Sequence, residues 1–212
     1  VKHRIGIDKI ERYEFVRDFI GKVSEAGCKT FIVHARNAWL KGLSPKENRE
    51  IPPLRYELVH RLKHEFPHLA ISINGGFSET AAIHQQLRLL DGVMVGREAY
   101  HNPWWLAQWD AEFFGDEPSG LTREEVEERM CDYMVREASQ HGTHWYSIAR
   151  HMLGLRHGLP GARRWRQVWS DHRLKHLPPH EVMRLAASRP VAATAAETSV
   201  AARQPAAPIQ PH

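Results

Sequence analysis

The feature that most constrains the fold is an alternation of short apolar segments with amphipathic ones over the first hundred residues. The apolar segments are short enough for strands, and the segments between them space their apolar residues as helices do. The strand segments show little alternation of polar and apolar residues, which is typical of strands covered on both faces. The predicted strands are residues 1–5, 30–34, 69–74 and 92–97, and the predicted helices are residues 13–26, 52–66 and 78–90.

Strands that alternate with helices in this way predict a parallel sheet with right-handed crossovers. Two α/β architectures fit the pattern, an open doubly wound sheet and one half of an eight-stranded barrel. In both of them the chemistry lies at the carboxyl ends of the strands. Lys2 and His34 are predicted to be at two of these ends.

Local signals predict where several helices begin. Pro52 and Pro53 can open a helix because the first turn needs no backbone donor. Ser78 is a candidate N-cap for the next helix. Thr122 followed by Glu125 predicts a capping box.

The second half of the chain has a different pattern, which predicts a small all-helical domain. Further helical segments are expected at residues 148–155, 162–168 and 180–187. The last residues are mostly Ala, Pro, Thr and Gln, and so poor in large apolar groups that they are expected to be disordered. The predicted division is residues 1–113 for the sheet domain, 114–120 for a linker, 121–187 for the helical domain and 188–212 for the tail.

Charge is distributed unevenly along the helical half. Residues 110–137 hold ten acids against three arginines, whereas residues 150–175 hold six arginines and one lysine against the single acid Asp171. The basic stretch is typical of a surface that binds a polyanion such as a nucleic acid, although a solvated helix face has the same composition. The chain has no apolar run of membrane-spanning length and no signal-peptide pattern, which favours a cytoplasmic protein without membrane contact. Two cysteines are too few for a disulfide framework, and no metal-binding spacing is present.

Glycines follow two neighbouring predicted strands. Asn74, Gly75 and Gly76 come directly after the third strand, and Gly96 and Arg97 come after the fourth. Backbone N–H groups at such turns can approach an anion closely while an arginine neutralises it. This arrangement predicts a phosphate site, although glycine is also common in turns for conformational reasons alone.

Taken together, several segments resemble the tRNA-dihydrouridine synthases. The long loop at residues 38–49 resembles the A subfamily in particular. The similarity to the family extends over about residues 1–176. It implies the C-terminal half of a TIM (β/α)8 barrel that binds FMN, followed by a small helical domain that binds tRNA. The segments that carry the resemblance are VKHRIG at 1–6, EAGC at 25–28, FIVHAR at 31–36, AWLKGLSPKENR at 38–49, INGG at 73–76 and VMVGREAY at 93–100.

The resemblance also implies a reaction and the residues that serve it. FMN, recharged by NADPH, would reduce a uridine of the tRNA D-loop at its C5–C6 double bond, at position 20 or 20a, and an active-site cysteine would supply a proton. The implied FMN contacts are Lys2, His34, Asn74, Gly75, Gly76, Gly96 and Arg97, and the implied tRNA contacts are Lys46, Arg49, Arg163 and Arg166.

The sequence departs from the family at the catalytic cysteine. The Gly-Cys-Pro motif that carries it in the family is absent from the 212 residues, so it is expected upstream of Val1, with the first half of the barrel. Cys28 follows a helix and precedes a strand, which predicts a position at the opposite end of the barrel, and Cys131 belongs to the helical domain. We therefore expect the chain alone to bind FMN weakly and not to reduce tRNA, and the full-length form to be a monomer.

Two other functions remain open at the level of sequence. The first is another FMN-binding barrel oxidoreductase that acts on a small molecule, which leaves the basic helical domain without a role. The second is a non-catalytic RNA-binding fragment in which the sheet serves only as a scaffold.

Overall fold

The computed structural model describes residues 1–10 and 12–188. Within them, four parallel strands form one sheet in which each strand pairs with the next along the chain. This sequential order confirms the predicted partial barrel, because a doubly wound sheet reverses its strand order. The strands are β1 (Lys2–Ile7), β2 (Thr30–Ala38), β3 (Ala70–Asn74) and β4 (Gly92–Met94).

Helices pack against one face of the sheet and bury most of it. Phe31, Val33 and Ile71 on the strands are fully buried against Ile20 and Leu62 on the helices. Burial of these side chains removes apolar area from water and contributes most of the stabilisation of this half of the chain. The helices of this half are α1 (Tyr13–Glu25), α2 (Tyr56–Glu65), α3 (Thr80–Leu87), α4 (Arg97–His101) and α5 (Trp109–Phe114), with short 3-10 helices at Glu47–Arg49 and Pro103–Gln108.

The opposite face of the sheet is only half-buried, which corrects the prediction that both faces are covered. Along β2, the buried Phe31, Val33 and Ala35 alternate with the partly exposed His34 and Arg36. The reason is that the helices of the described residues lie on one side only. Most polar side chains of the strands therefore project from the other face, whereas Asn37 is buried and His3 contacts Phe19 of α1.

Two predicted helix starts are wrong and one is confirmed. The second helix begins at Tyr56, because the residues around Pro52 form part of the preceding loop. Ser78 does not cap α3, which begins two residues later without a side-chain cap. The capping box at Thr122 is present, with 3.2 Å from the Glu125 amide to the Thr122 hydroxyl and 2.7 Å from the Thr122 amide to the Glu125 carboxylate.

The second half of the chain, from Thr122 to Ser188, forms a unit that we call the helical module. Its core contains three tryptophans, Trp145, Trp165 and Trp169, with Met134 and Val182. Of the helix predicted at residues 148–155, only 148 and 149 are helical, at the end of the helix Trp145–Ala149, and successive turns follow. Gly154, within these turns, lies close to the main chain of α4, since a Cβ there would be only 2.2 Å from the His101 carbonyl oxygen. The helices of the module are α6 (Arg123–His141), α7 (Trp145–Ala149), α8 (Ala162–Trp169) and α9 (Pro179–Ala187), with a 3-10 helix at His172–Leu174.

The predicted tail falls almost entirely outside the described residues, which end at Ser188. Across the part of the chain that is described, no helix combines the length and the apolar character needed to span a bilayer.

Candidate functional site

A pocket of about 820 Å³ lies where the chain leaves β3 and β4. Every residue that the sequence implicated in cofactor binding lines it, and two of the four implicated in tRNA binding do so as well. The remaining lining is mostly polar. The implicated lining residues are Lys2, His34, Asn74, Gly75, Gly76, Gly96 and Arg97, with Lys46 and Arg49, and the others are His3, Arg4, Glu50, Phe77, Ser78, Met94, Val95, Glu98 and His101.

The strands position these side chains differently from the prediction. Lys2 begins β1 and His34 is central in β2, so neither residue ends its strand. His34 pairs in register with Asn74, which pairs in turn with Met94. Residues at one level of a parallel sheet project their side chains to the same face, and this brings His34 and Asn74 to the pocket.

Two glycines shape the turn after β3. Gly75 and Gly76 have φ angles of 128° and 78°, which L side chains rarely adopt. A Cβ on Gly75 would lie 2.6 Å from Leu54 Cδ2, and one on Gly76 would lie 2.7 Å from Leu54 Cδ1. The Tyr56 hydroxyl donates to the Gly75 carbonyl and holds the turn from outside. The positive φ angles therefore favour glycine here, whereas a Cβ would have to displace the end of the Leu54 side chain.

Gly96, which follows β4, differs from Gly75 and Gly76 in both conformation and packing. Its φ is −117°, and a Cβ there would touch only Met94 Cε at 3.9 Å. The packing of the described residues therefore does not require glycine at this position, although the residue lines the same pocket.

The side-chain amide of Asn74 links β3 to β4 and also contacts Lys2. Asn74 Nδ2 donates to the Met94 carbonyl at 2.8 Å, which directs its oxygen the other way. Lys2 Nζ lies 3.5 Å from that oxygen, at the limit of a hydrogen bond. The ammonium group is thus held over the pocket by one weak contact and keeps its capacity to donate elsewhere.

Arg97 is held by the long loop that follows β2. Its guanidinium forms a 2.6 Å ion pair with Glu50 Oε1 and donates to the Arg49 carbonyl at 3.2 Å. Arg36 ties the same loop to the sheet by donating to the carbonyls of Glu50 and Pro52. Because guanidinium has five N–H donors, Arg97 retains donors for an anion.

Arg4 anchors the start of that loop. Its Nη1 donates to the carbonyls of Asn37 at 2.7 Å and Asn48 at 2.8 Å. Asn48 in turn bonds both the amide and the carbonyl of Trp39. The loop that carries Lys46 is therefore fixed to the pocket by main-chain acceptors.

The pocket carries more positive than negative charge. Five lysines and arginines line it, against two carboxylates. Burial, reinforced by the positive charges of Arg4 and Lys2, lowers the pKa of His34 from its usual 6.5 to about 4. His34 is therefore neutral at pH 7, and its ring can donate one hydrogen bond and accept another. An anion in the pocket would relieve the repulsion among these groups.

These features fit a flavin mononucleotide. A phosphate monoester suits a turn in which Gly75 and Gly76 bring the backbone close, with the Arg97 guanidinium alongside. Lys2 and neutral His34 can donate to the carbonyl and nitrogen acceptors of a flavin ring.

The other two implicated residues, Arg163 and Arg166, do not line this pocket. Both lie on α8, where Arg163 is exposed and Arg166 partly exposed. Between them, Arg164 donates to the carbonyls of Ala186 and Ser188 and so caps the end of α9. Within residues 1–10 and 12–188, no hydrogen bond or ion pair engages the guanidinium of Arg163 or Arg166.

Neither cysteine lies at the pocket. Cys28 precedes β2, and its thiol lies 3.3 Å from the Thr30 carbonyl, at the amino end of the strand. Cys131 is fully buried in the helical module, and burial together with the charge of Glu127 raises its pKa to about 12. A thiol with so high a pKa is a poor proton donor at neutral pH.

Sequence reasoning did not single out Glu50, Tyr56 or Arg4. Arg4 could have been found, because it lies two residues after Lys2 and projects to the same face of β1. Glu50 and Tyr56 carry no local signal, since their partners are 47 and 19 residues away along the chain.

Comparison with known proteins agrees with this geometry. The family described as Dihydrouridine synthase (Dus) matches residues 1–190. Proteins named tRNA-dihydrouridine(20/20a) synthase are 54% identical over 173 residues in Escherichia coli K12, 51% over 170 in Pseudomonas aeruginosa and 51% over 173 in Vibrio cholerae. These matches cover 81%, 80% and 81% of the chain but 50%, 51% and 53% of the relatives, so the chain spans about half of their length. The chain belongs to the dihydrouridine synthase family, in its A subfamily.

Proposed function

We propose that this chain takes part in the FMN-dependent reduction of uridine to 5,6-dihydrouridine in the D-loop of tRNA, at positions 20 and 20a. The observation that carries the proposal is the convergence of all seven implicated cofactor residues on one cationic pocket. When bound, FMN supplies the hydride for the C5–C6 double bond and is recharged by NADPH. The names of the relatives support the substrate and the positions.

Binding of the cofactor divides between two groups of residues. Gly75, Gly76 and Arg97 would hold the phosphate, because the turn admits close approach and the guanidinium supplies charge. Lys2 and His34 would face the ring system. The neutral state of His34 leaves its ring able to donate a hydrogen bond without adding a further charge.

Binding of tRNA would use two separate basic surfaces. Lys46 and Arg49 lie at the pocket, on the loop fixed by Arg4 and Arg97. Arg163 and Arg166 lie on α8 of the helical module. A uridine must leave its stack to reach the flavin, which costs a few kcal/mol that contacts to the RNA backbone can offset. Since tRNA is the substrate, the cytoplasm is the proposed place of action.

The chain's own residues would bind and orient the reactants without completing the reaction. A proton donor is needed at C5 of uridine, and both cysteines lie away from the pocket. We therefore propose that the 212-residue chain alone binds FMN weakly, binds tRNA, and forms no dihydrouridine.

The test uses the purified 212-residue chain with FMN, NADPH and unmodified tRNA. Flavin fluorescence measures cofactor binding, anisotropy of labelled tRNA measures RNA binding, and mass spectrometry of digested tRNA measures dihydrouridine. We expect both ligands to bind and the tRNA to stay unmodified. Dihydrouridine formation would contradict the inactivity of the chain, and failure to bind either ligand would contradict the proposed function itself.

A salt titration distinguishes the proposal from a flavin enzyme for small molecules. Contacts to several phosphates make binding fall steeply with salt, because each contact releases condensed counterions. We expect such a fall for tRNA, and a shallow dependence would favour the small-molecule alternative.

A further inference from the structure

The helical module contains a carboxylate at its centre. Glu127 is only 2% exposed and belongs to α6, the acidic helix. Its Oε1 accepts from the indole nitrogens of Trp165 at 2.7 Å and Trp169 at 2.9 Å. Its Oε2 accepts from Arg156 Nη2 at 2.9 Å. Both oxygens of a nearly inaccessible carboxylate are therefore satisfied.

A buried carboxylate is unfavourable unless it is paired and hydrogen-bonded, so its retention in a small core needs an explanation. The two indole donors come from one helix and are four residues apart, which places them on one side of α8. Two bonds to the same oxygen fix the rotation of α8 about its axis as well as its distance from α6. One bond, or apolar packing alone, would leave the rotation less defined.

Arg156 extends this control to the segment before α8. Its guanidinium bonds Glu127 and also lies 3.1 Å from the exposed Glu124. The same guanidinium lies 5.8 Å from the centre of the Trp165 ring. Glu127 therefore fixes the segment before α8 through Arg156, and α8 itself through the two indoles.

The outer side of α8 carries Arg163, and the partly exposed Arg166 lies at its edge. At 100° per residue, Arg163 is turned well away from the buried Trp165 and Trp169. The direction in which both arginines project depends on the rotation of α8. We propose that Glu127 is a positioning residue for RNA binding, which fixes α8 through its two indoles so that Arg163 and Arg166 reach the phosphates of tRNA. This inference rests on the proposed tRNA binding by the module.

The experiment compares the salt dependence of tRNA binding among variants of the chain. The slope of log K against log salt reports the number of phosphate contacts and does not depend on the fraction of protein that is folded. Glu127→Gln keeps the shape but leaves one acceptor oxygen, which the charged Arg156 takes as the stronger donor, so the amide N–H faces the two indole donors. Glu124→Gln is the matched control, since it removes only the exposed partner of Arg156. Arg163→Met/Arg166→Met removes the proposed contacts themselves. FMN binding is measured for every variant.

We expect the slope of log K against log salt to fall by roughly two in the double arginine variant and by roughly one or more in Glu127→Gln. Adding Glu127→Gln to the double arginine variant should cause no further fall. Glu124→Gln should match the unmodified chain, and FMN binding should be unchanged throughout. Trp169→Phe, which removes one donor and keeps an aromatic ring, should lower the slope less and provides the test if Glu127→Gln does not fold.

Three results would overturn the inference. The first is an unmodified slope in both Glu127→Gln and Trp169→Phe. The second is a full additional loss when Glu127→Gln is combined with the arginine changes, because a general effect on the fold adds to the loss of contacts. The third is a loss of FMN binding in Glu127→Gln. If the double arginine variant keeps the slope of the unmodified chain, the proposed RNA surface of α8 fails together with this inference, whereas the FMN part of the proposed function stands.

Discussion

The pocket and the core of the helical module both depend on arginines, but they treat the charge in opposite ways. At the pocket, Arg4 donates to main-chain carbonyls, which fix the guanidinium without cancelling its charge, and Arg36 does the same for the adjoining loop. In the module, Arg156 meets the carboxylates of Glu124 and Glu127. Arg97 is the exception in the pocket, since it pairs with Glu50, but five cationic side chains there face only two carboxylates. Positive charge is thus retained in the pocket and neutralised in the core of the module.

The positive charge retained at the pocket is electrostatically unfavourable, as the pKa shifts of Arg4 and Arg36 show. Burial lowers the pKa of Arg4 and of Arg36, and in each case a neighbouring arginine adds to the effect. Such mutual repulsion destabilises the unliganded pocket and favours any anion that enters it. The comparison predicts that disruption of the module costs stability, whereas disruption of the pocket costs ligand affinity.

The largest expected effect is on the stability of the module. Glu127→Ala leaves Arg156 and two indole N–H groups without their buried acceptor, and it should lower the free energy of unfolding by about 3–5 kcal/mol. Urea unfolding followed by tryptophan fluorescence measures the change. Glu124→Ala should change stability by less than about 1 kcal/mol, because its ion pair is exposed. Equal losses in the two variants would contradict the distinction between buried and exposed partners.

A smaller effect is expected from Gly76→Ala in the pocket. The positive φ of 78° should cost about 1–2 kcal/mol of stability in any L residue, and the new Cβ would also disturb the turn against Leu54. FMN binding should weaken as well. Gly115→Ala is the matched control, with a φ of 74° and no atom within 4 Å of the new Cβ. It should lose similar stability and keep its affinity for FMN, and a loss of affinity in both variants would contradict a local role for the turn.

The smallest expected effect concerns the titration of His34. Its pKa is lowered to about 4 in the fold, so between pH 6.5 and 4 the unfolded chain binds a proton that the folded chain does not. Stability therefore falls as pH decreases through this window, and the partial exposure of His34 to solvent reduces the loss. His34→Gln should flatten that part of the pH profile. An NMR titration of the His34 ring with a midpoint near 6.5 in the free protein would contradict the account.

The sequence pattern was sufficient for the sheet, since apolar strands and helical spacing are local properties. It also located the Gly75-Gly76 turn, because two glycines directly after a strand are typical of a turn with positive φ, and it located the capping box at Thr122. These features depend on residues close together in the chain. The division of the chain into domains stays a prediction, as do the roles of the site residues.

Features that depend on distant residues were missed or predicted wrongly. The Glu50–Arg97 pair joins residues 47 positions apart, and no local pattern indicates it. Residues 150–155 have a composition that suits a helix, yet they form turns in which Gly154 lies against the His101 carbonyl.

The central claim is that the retained charge of the pocket holds the phosphate of FMN, and comparison of FMN with riboflavin in Arg97→Met tests it most directly. The two flavins differ only by the phosphate, so isothermal titration of both separates phosphate binding from ring binding. We predict that Arg97→Met weakens FMN roughly tenfold to a hundredfold, the size of a lost hydrogen bond between charged groups, and leaves riboflavin unchanged. Equal weakening of both flavins, or no change in either, would contradict the claim.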